Sequence, residues 1–377
     1  MGFRGDSEPE IDKKSLRKEA GRSSFSLLRL GASLGLHCGA YRGKDENTLC
    51  AYHSRTFEMN QESPNFLTVG TRGSELALVQ ATSTEALLAA EFPNLQIERR
   101  IIKTTGDRRT DVTLAEVAKA EGIFDKGVFI KELEQALNDG EIDIAVHSLK
   151  DLPTVLHERF ALASVLERAP VRDVLVTRVG YDLDSLPVDT RLGTSSVRRA
   201  KQAAHLRPDL NIVDLRGNVP TRLQKLSSGE HHDAILLAEA GLVRLGYLPE
   251  IGEPNKIEPV VGMPGLFACR LDESLFYPAA GQGAIGLEIR AADARSRVFA
   301  EEIGHADTWQ RVTAEREFLR LLDAGCHTPV GVYSSLSGSE LHLKALVFPE
   351  SDGPPRYGEA RGIDPLTVAL SLFQSLT

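Results

Sequence analysis

Cysteine is scarce in this chain: Cys38, Cys50, Cys269 and Cys326 are four residues in 377, with no C-x-x-C pair among them. That excludes a disulfide scaffold and a thiolate zinc site, and it points to a reducing compartment. Long apolar runs are missing as well. Nothing approaches the roughly 20 residues that a membrane helix needs, so no membrane role is expected. A basic surplus is also absent: 44 Lys and Arg stand against 53 Asp and Glu, for a net charge of -9. A nucleic-acid binder gathers cations against phosphates, so no such partner is expected, although a local pocket for a small anion stays open. The remaining composition, 42% hydrophobic and 26% charged, is that of a globular chain. At roughly 150 residues per domain the length suggests two or three domains.

The N-terminal part differs from the rest. Its first 66 positions hold 10 Lys and Arg and 9 Asp and Glu, and Arg29 interrupts the one apolar stretch, Phe25 to Leu36. A secretory signal needs an unbroken apolar core. A transit peptide avoids acids, yet Asp6, Glu8, Glu10, Asp12 and Glu19 come early. Residues 1–65 are expected to be a disordered extension, or the product of a start codon placed too far upstream. The location is then cytoplasmic; a plastid is the alternative if the segment is a transit peptide.

Regular patterning starts at Phe66. A strand over Phe66 to Val69 precedes a helix whose expected buried face is Leu76, Val79, Ser83, Leu87 and Ala90. Ile97 to Ile102 reads as a strand, Phe129 to Leu137 as a helix, and Ile142 to Val146 as a buried strand. Strands recur at Val174 to Thr177, Ile212 to Leu215 and Ala234 to Ala238, with helices between them. From about Ala314 one helix through Leu322 gives way to alternating strands near Val330 to Tyr333 and Leu341 to Phe348. This pattern predicts an α/β protein with two doubly wound mixed-sheet domains and a small α+β third domain. The expected division is residues 66–170 with 280–303, then 171–279, then 304–377.

Chemistry concentrates where strands end. Thr71-Arg72-Gly73-Ser74 follows a strand and opens a helix, where free N–H groups favour anions. Lys150 and Asp151 follow the strand ending at Val146, and ligands of open α/β sheets bind at such carboxyl ends. In Gly193-Thr194-Ser195-Ser196-Val197-Arg198-Arg199, two cations occupy the first turn of a helix, against the preference of the helix dipole for acids there. That misfit asks for an anion. Arg216 and Arg222 flank the turn in Leu215-Arg-Gly-Asn-Val-Pro-Thr-Arg222, and Arg244 adds a further cation. Gly281-Gln-Gly-Ala-Ile-Gly286 matches G-x-G-x-x-G, but Pro278 precedes it and a strand-like run follows it. It therefore reads as a crossover between domains and not as a nucleotide loop. Cys326, between Gly325 and a Pro turn, is either an attachable loop thiol or a small buried hydrophobe.

Taken in order, these segments resemble the porphobilinogen deaminase family, the hydroxymethylbilane synthases. The likeness covers about residues 66 to 350. Besides the motifs above it includes Lys131-Glu-Leu-Glu134, Asp143 to Asp151, Pro278 to Gly283 and Val312-Thr-Ala-Glu-Arg316. The resemblance implies two α/β domains like those of periplasmic binding proteins, joined by a hinge, with a small third domain. It implies a dipyrromethane cofactor held by a thioether to Cys326, and porphobilinogen as substrate. Asp151 would be the catalytic carboxylate, stabilising the cationic azafulvene formed as ammonia leaves. Four condensations and a hydrolysis would release hydroxymethylbilane, in the route to haem and other tetrapyrroles. Arg72, Lys150, Arg198, Arg199, Arg216, Arg222 and Arg244 would bind carboxylates, with Ser74, Thr194, Ser195 and Ser196 as hydrogen-bond donors. No metal is implied, and a monomer is expected. Phe124-Asp-Lys-Gly-Val-Phe129 departs from the family's Gly-Gly-Lys-Gly-Leu-Phe type of lid, keeping Lys126 and Phe129 for the substrate but leaving closure in doubt. His327-Thr328 replaces the usual pair after the Cys. Two other classes compete: a non-catalytic anion-binding protein on the same frame, and an inactive interaction protein.

Overall fold

The computed structural model describes residues 65–104, 127–323, 329–349 and 353–376, with backbone alone for 127–129. The expectations for the extension up to residue 64, for Lys126 and the Phe129 side chain, and for Cys326 lie outside the described residues.

The first sheet, in the order β2-β1-β3-β11-β4, uses β1 (Phe66–Arg72), β2 (Gln96–Ile102), β3 (Ile144–Ser148), β4 (Phe160–Val165) and β11 (Ile285–Arg290). The second, β7-β6-β8-β5-β10-β9, uses β5 (Asp173–Thr177), β6 (Arg191–Gly193), β7 (Asn211–Val213), β8 (Ala234–Ala238), β9 (Ile257–Pro259) and β10 (Phe267–Arg270). Both are mixed: β1 is parallel to β2 and β3 while β11 is antiparallel to β3 and β4, and β6 is parallel to β7 and β8 while β5 is antiparallel to β8 and β10. A third, antiparallel sheet joins β12 (Val330–Ser337), β13 (Glu340–Val347) and β14 (Arg356–Gly362). The fold is therefore α/β with two mixed sheets, plus a small α+β unit.

Eight helices appear among the described residues: α1 (Glu75–Glu91), α2 (Gly127–Asn138), α3 (Val197–Leu206), α4 (Val219–Ser228), α5 (Glu239–Arg244), α6 (Ala294–Glu302), α7 (Ala306–Leu321) and α8 (Pro365–Leu376). None is long and apolar enough to cross a membrane. The central strands β3, β5 and β8 are apolar runs because helices cover both faces of their sheets, leaving no wet side to alternate with. α1 turns a different face inward from the one expected. Its buried residues are Ala77, Gln80, Ala81, Thr84 and Leu88, while Leu87 is 44% exposed. Small side chains let the helix sit close to the sheet, so the stripe of Ala and Thr outcompetes the larger apolar residues beside it. α7 begins at Ala306, eight residues before the expected Ala314, because the His305 side chain accepts from the Thr308 N–H and caps it.

The chain crosses between the mixed sheets twice, through 166–172 on the way out and 271–284 on the way back. The crossovers touch: the Ala169 N–H donates to the Gly283 carbonyl at 3.2 Å, and Arg168 Nε to the Gln282 carbonyl at 2.9 Å. Gly283 has φ +86, and a Cβ there would lie 2.4 Å from the Ala169 oxygen, so only glycine fits. Arg168 also forms a two-pronged ion pair with Glu315 of α7, at 2.6 and 2.9 Å. The same buried carboxylate accepts from the Gly281 N–H at 2.8 Å and from the Ser334 hydroxyl of β12. Burial alone would raise the Glu315 carboxyl, but Arg168 and these donors outweigh it and hold it low. Both crossovers and the third sheet thus meet at one carboxylate.

Removing it leaves Arg168 buried without its counter-charge, a loss of about 3–5 kcal/mol. Glu315→Ala is expected to lower the urea unfolding midpoint accordingly. The double variant Arg168→Met, Glu315→Met should recover part of that loss.

Candidate active site

A cavity opens at the junction of the two mixed sheets, beside the crossovers, and four cations converge on it. Lys150 comes from a single 3-10 turn, Leu149–Asp151, directly after β3. Arg199 comes from the first turn of α3, Arg222 from the first turn of α4, and Arg244 from the end of α5. Each sits where a strand has just ended or a helix is capped. The Ser196 hydroxyl accepts from the Arg199 N–H and starts α3. Asn218 does the same for α4 through the Thr221 N–H, with Pro220 just inside.

Two of the cations are fixed through carbonyls. Arg222 Nε donates to the Gly217 oxygen at 2.7 Å, and Arg244 Nη2 to the Gly283 oxygen at 2.8 Å. Burial pushes both guanidiniums down to about 10, which leaves them charged at neutral pH. Burial also pushes the Lys150 ammonium down to about 8; Asp151 opposes the fall and Arg199 adds to it. The Asp151 carboxylate shares the 3-10 turn with Lys150 and acts on Arg222 as well, favouring its charged form.

The anion demanded by the two arginines opening α3 turns out to be internal. Arg198 Nη1 donates to Asp173 Oδ2 at 2.6 Å, and Arg199 donates to Oδ1 through Nε at 2.9 Å and Nη2 at 2.7 Å. Burial would raise the Asp173 carboxyl, but the guanidiniums outweigh it and hold it well below the usual carboxylate range. Arg198 is buried by this pairing and by the Tyr277 carbonyl, away from the cavity lining; Arg199 is paired and still lines it. The expected hydroxyl donors serve the backbone. Ser195 Oγ donates to the Leu215 carbonyl at 2.6 Å, Thr194 Oγ1 accepts from the Ser196 N–H, and Ser74 caps α1 through the Ala77 N–H. Arg216 stands 3.5 Å from Asp214. Arg72 ends β1, beside β3 in the first sheet.

Two polar lining residues were not anticipated. Gln80 and Ser148 exchange hydrogen bonds at 2.9 and 3.2 Å on the cavity wall. A polar Gln80 within the buried Ala77, Ala81, Thr84 stripe of α1 is the signal that marks it. Among the described residues no group of three His, Cys, Asp or Glu is placed to hold a metal ion.

The site is thus a cation-rich cleft, with the half-buried Asp151 carboxylate on the turn that carries Lys150, set at strand ends of a two-sheet α/β protein. Two family models match the chain: "Porphobilinogen deaminase, dipyromethane cofactor binding domain" over residues 67–298, and "Porphobilinogen deaminase, C-terminal domain" over residues 309–372. The porphobilinogen deaminase of Syntrophobacter fumaroxidans is 41% identical over 297 residues, covering 79% of this chain and 88% of that protein. That of Desulforudis audaxviator is 44% identical over 279 residues, covering 74% and 83%. The chain belongs to the porphobilinogen deaminase family. Among solved structures, the VFT2 domain of BvgS from Bordetella pertussis overlaps 67% of this chain and 94% of that one at 13% identity and TM-score 0.38. The fold assignment rests on the strand orders given above.

As pH rises, Lys150 loses its proton before Arg222 and Arg244 do. Anion affinity is expected to fall between pH 7 and 9 with a dependence of one proton. Lys150→Arg keeps its charge and should flatten the curve. Calorimetric titration with inorganic sulfate across that range checks both.

Proposed function

We propose that this protein condenses four molecules of porphobilinogen head to tail with loss of ammonia, on a covalent dipyrromethane primer, and releases hydroxymethylbilane for haem and other tetrapyrrole synthesis. The observation that carries this reading is the convergence of Lys150, Arg199, Arg222 and Arg244 on one cavity beside Asp151. Porphobilinogen carries acetate and propionate arms, so both a primer made from it and a growing chain bring many carboxylates. A cleft with more fixed cations than anions fits such a group.

Dipyrromethane, once bound, would supply the free pyrrole carbon that the first unit joins, and each later unit would join the end of the growing chain. The chain's own residues do the rest. Arg199, Arg222 and Arg244 take carboxylates and orient the rings. Arg72, Ser74, Thr194, Ser195, Ser196 and Arg216 extend this grip through their junctions, while Arg198 acts through Asp173. The Asp151 carboxylate accepts pyrrole N–H groups of the substrate and stabilises the positive charge left as ammonia departs. Lys150, still charged below about pH 8, binds a carboxylate beside it. Cys326 forms the thioether, and Lys126 and Phe129 belong to the substrate lid. We place the reaction in the cytoplasm, in a monomer with no nucleic-acid partner, consistent with the net charge of -9.

Intact-mass measurement tests the attachment: the parent protein should carry two pyrrole units and Cys326→Ser none. Asp151→Asn removes the stabilising charge, worth on the order of 3 kcal/mol or about a hundredfold in rate. Single-turnover assays on primed protein should show that loss with folding intact. A parental rate in Asp151→Asn rules out the catalytic role.

A further inference from the structure

α7 places two consecutive charged residues on different partners. Glu315 holds the crossovers, as described. Arg316 turns toward the first sheet, where its guanidinium donates to three successive carbonyls: Nη1 to Leu152 at 3.2 Å, and Nη2 to Pro153 at 2.6 Å and Thr154 at 3.3 Å. These are the peptides immediately after Asp151. Among the described residues Arg316 forms no ion pair with a carboxylate. The acid facing it, Glu288 of β11, is buried and bound to His147 Nε2 at 2.9 Å. Arg316 therefore spends its N–H groups on backbone, and burial, which lowers it to about 10, still leaves it charged at neutral pH.

The turn it grips is otherwise held at its start, where the Leu149 N–H donates to the Ala284 carbonyl at 3.0 Å, and from beneath. Leu149 and Leu152 are buried together with Ile130 and Val312, while Val155, one residue past the clamp, is 67% exposed. The leucines fix the depth of the turn and the Leu149 bond fixes its entry, but apolar packing is non-directional and one bond at the entry leaves the far end free to rotate. A planar guanidinium bonded to three carbonyls does fix direction. Lys150 and Asp151 lie between the two leucines, so rotation of the turn re-aims both.

We propose that Arg316 is a positioning residue for the reaction: it sets the orientation of the Lys150–Asp151 turn from outside the cavity. This rests on the role given to Asp151 above. The carboxylate-binding arginines Arg199, Arg222 and Arg244 stand on α3, α4 and α5, which pack on the second sheet. Loss of Arg316 therefore disturbs the chemical step more than substrate capture, in which only the Lys150 contact is affected.

Arg316→Met should fold. Its side chain lines a cavity of about 260 Å³ against Thr154, Leu156 and Trp309, from which water reaches the freed carbonyls. In Arg316→Met, kcat is expected to fall about 10- to 100-fold, as misplacement of a reacting group by an ångström does, with KM rising by less than kcat falls because only one of the four cavity cations is re-aimed. Arg316→Lys, which keeps the charge and reaches one carbonyl, should recover part of kcat. Hydrogen exchange followed by mass spectrometry should show faster exchange confined to residues 149–157. Parental kcat in Arg316→Met, or unchanged exchange over 149–157, overturns the proposal. So does an exchange increase spread through α7 and the β12–β14 sheet, which marks a merely structural role. If the parent protein does not consume porphobilinogen, the reaction assigned above falls, while the exchange arm still decides whether Arg316 holds the turn.

Discussion

The buried ion pair between Arg168 and Glu315 is the constraint from which the rest of the architecture follows. One carboxylate takes both prongs of a guanidinium from the outgoing crossover, a backbone N–H from the returning one and a hydroxyl from the third sheet. A buried charge is costly unless its hydrogen-bonding capacity is filled, and here every donor comes from a different segment. The three layers thereby share one buried anchor point. The cavity lies beside that point, with Gly281 and Gly283 contributing to its wall. Site geometry and layer geometry are consequently the same problem for this chain.

Arginine serves two opposed purposes here. Arg168 and Arg198 are buried on carboxylates and hold structure, while Arg222 and Arg244 rest on carbonyls and keep their charge available. Arg199 does both, sharing Asp173 while lining the cavity. Because a carbonyl dipole neutralises far less charge than a carboxylate, the choice of anchor decides which cations can still attract a ligand. An acidic chain keeps a positive cleft in this way without a basic surplus in its composition.

Much of this was legible in the sequence. β3, β5 and β8 announced themselves as apolar runs bounded by turns, and the strand-to-helix junctions carrying Lys150, Arg199 and Arg222 and the helix end carrying Arg244 stood out by their cations. The errors have identifiable causes. The buried face of α1 is made of Ala and Thr, whose value lies in close approach and not in hydrophobicity. The start of α7 depends on a histidine cap that composition does not reveal. β14, Arg356–Gly362, has hardly any apolar alternation; its Gly358 is buried because Leu372 and Leu376 of α8 press on it. The division of arginines into structural and available ones was hidden for a different reason. Asp173 lies 25 residues from Arg198, and Glu315 lies 147 from Arg168, so the pairing exists only once the sheets are assembled.

The carbonyl anchors of Arg222 and Arg244 have a consequence for how binding divides between enthalpy and entropy. A free arginine side chain carries about 2 kcal/mol of rotamer entropy, which a ligand normally has to suppress. Here Gly217 and Gly283, both at positive φ, present oxygens that immobilise the two side chains before any ligand arrives. Their ordering belongs to the folding equilibrium and not to association. Successive carboxylates therefore meet charges already at rest, and the entropic cost of recognition falls on the ligand's own arms.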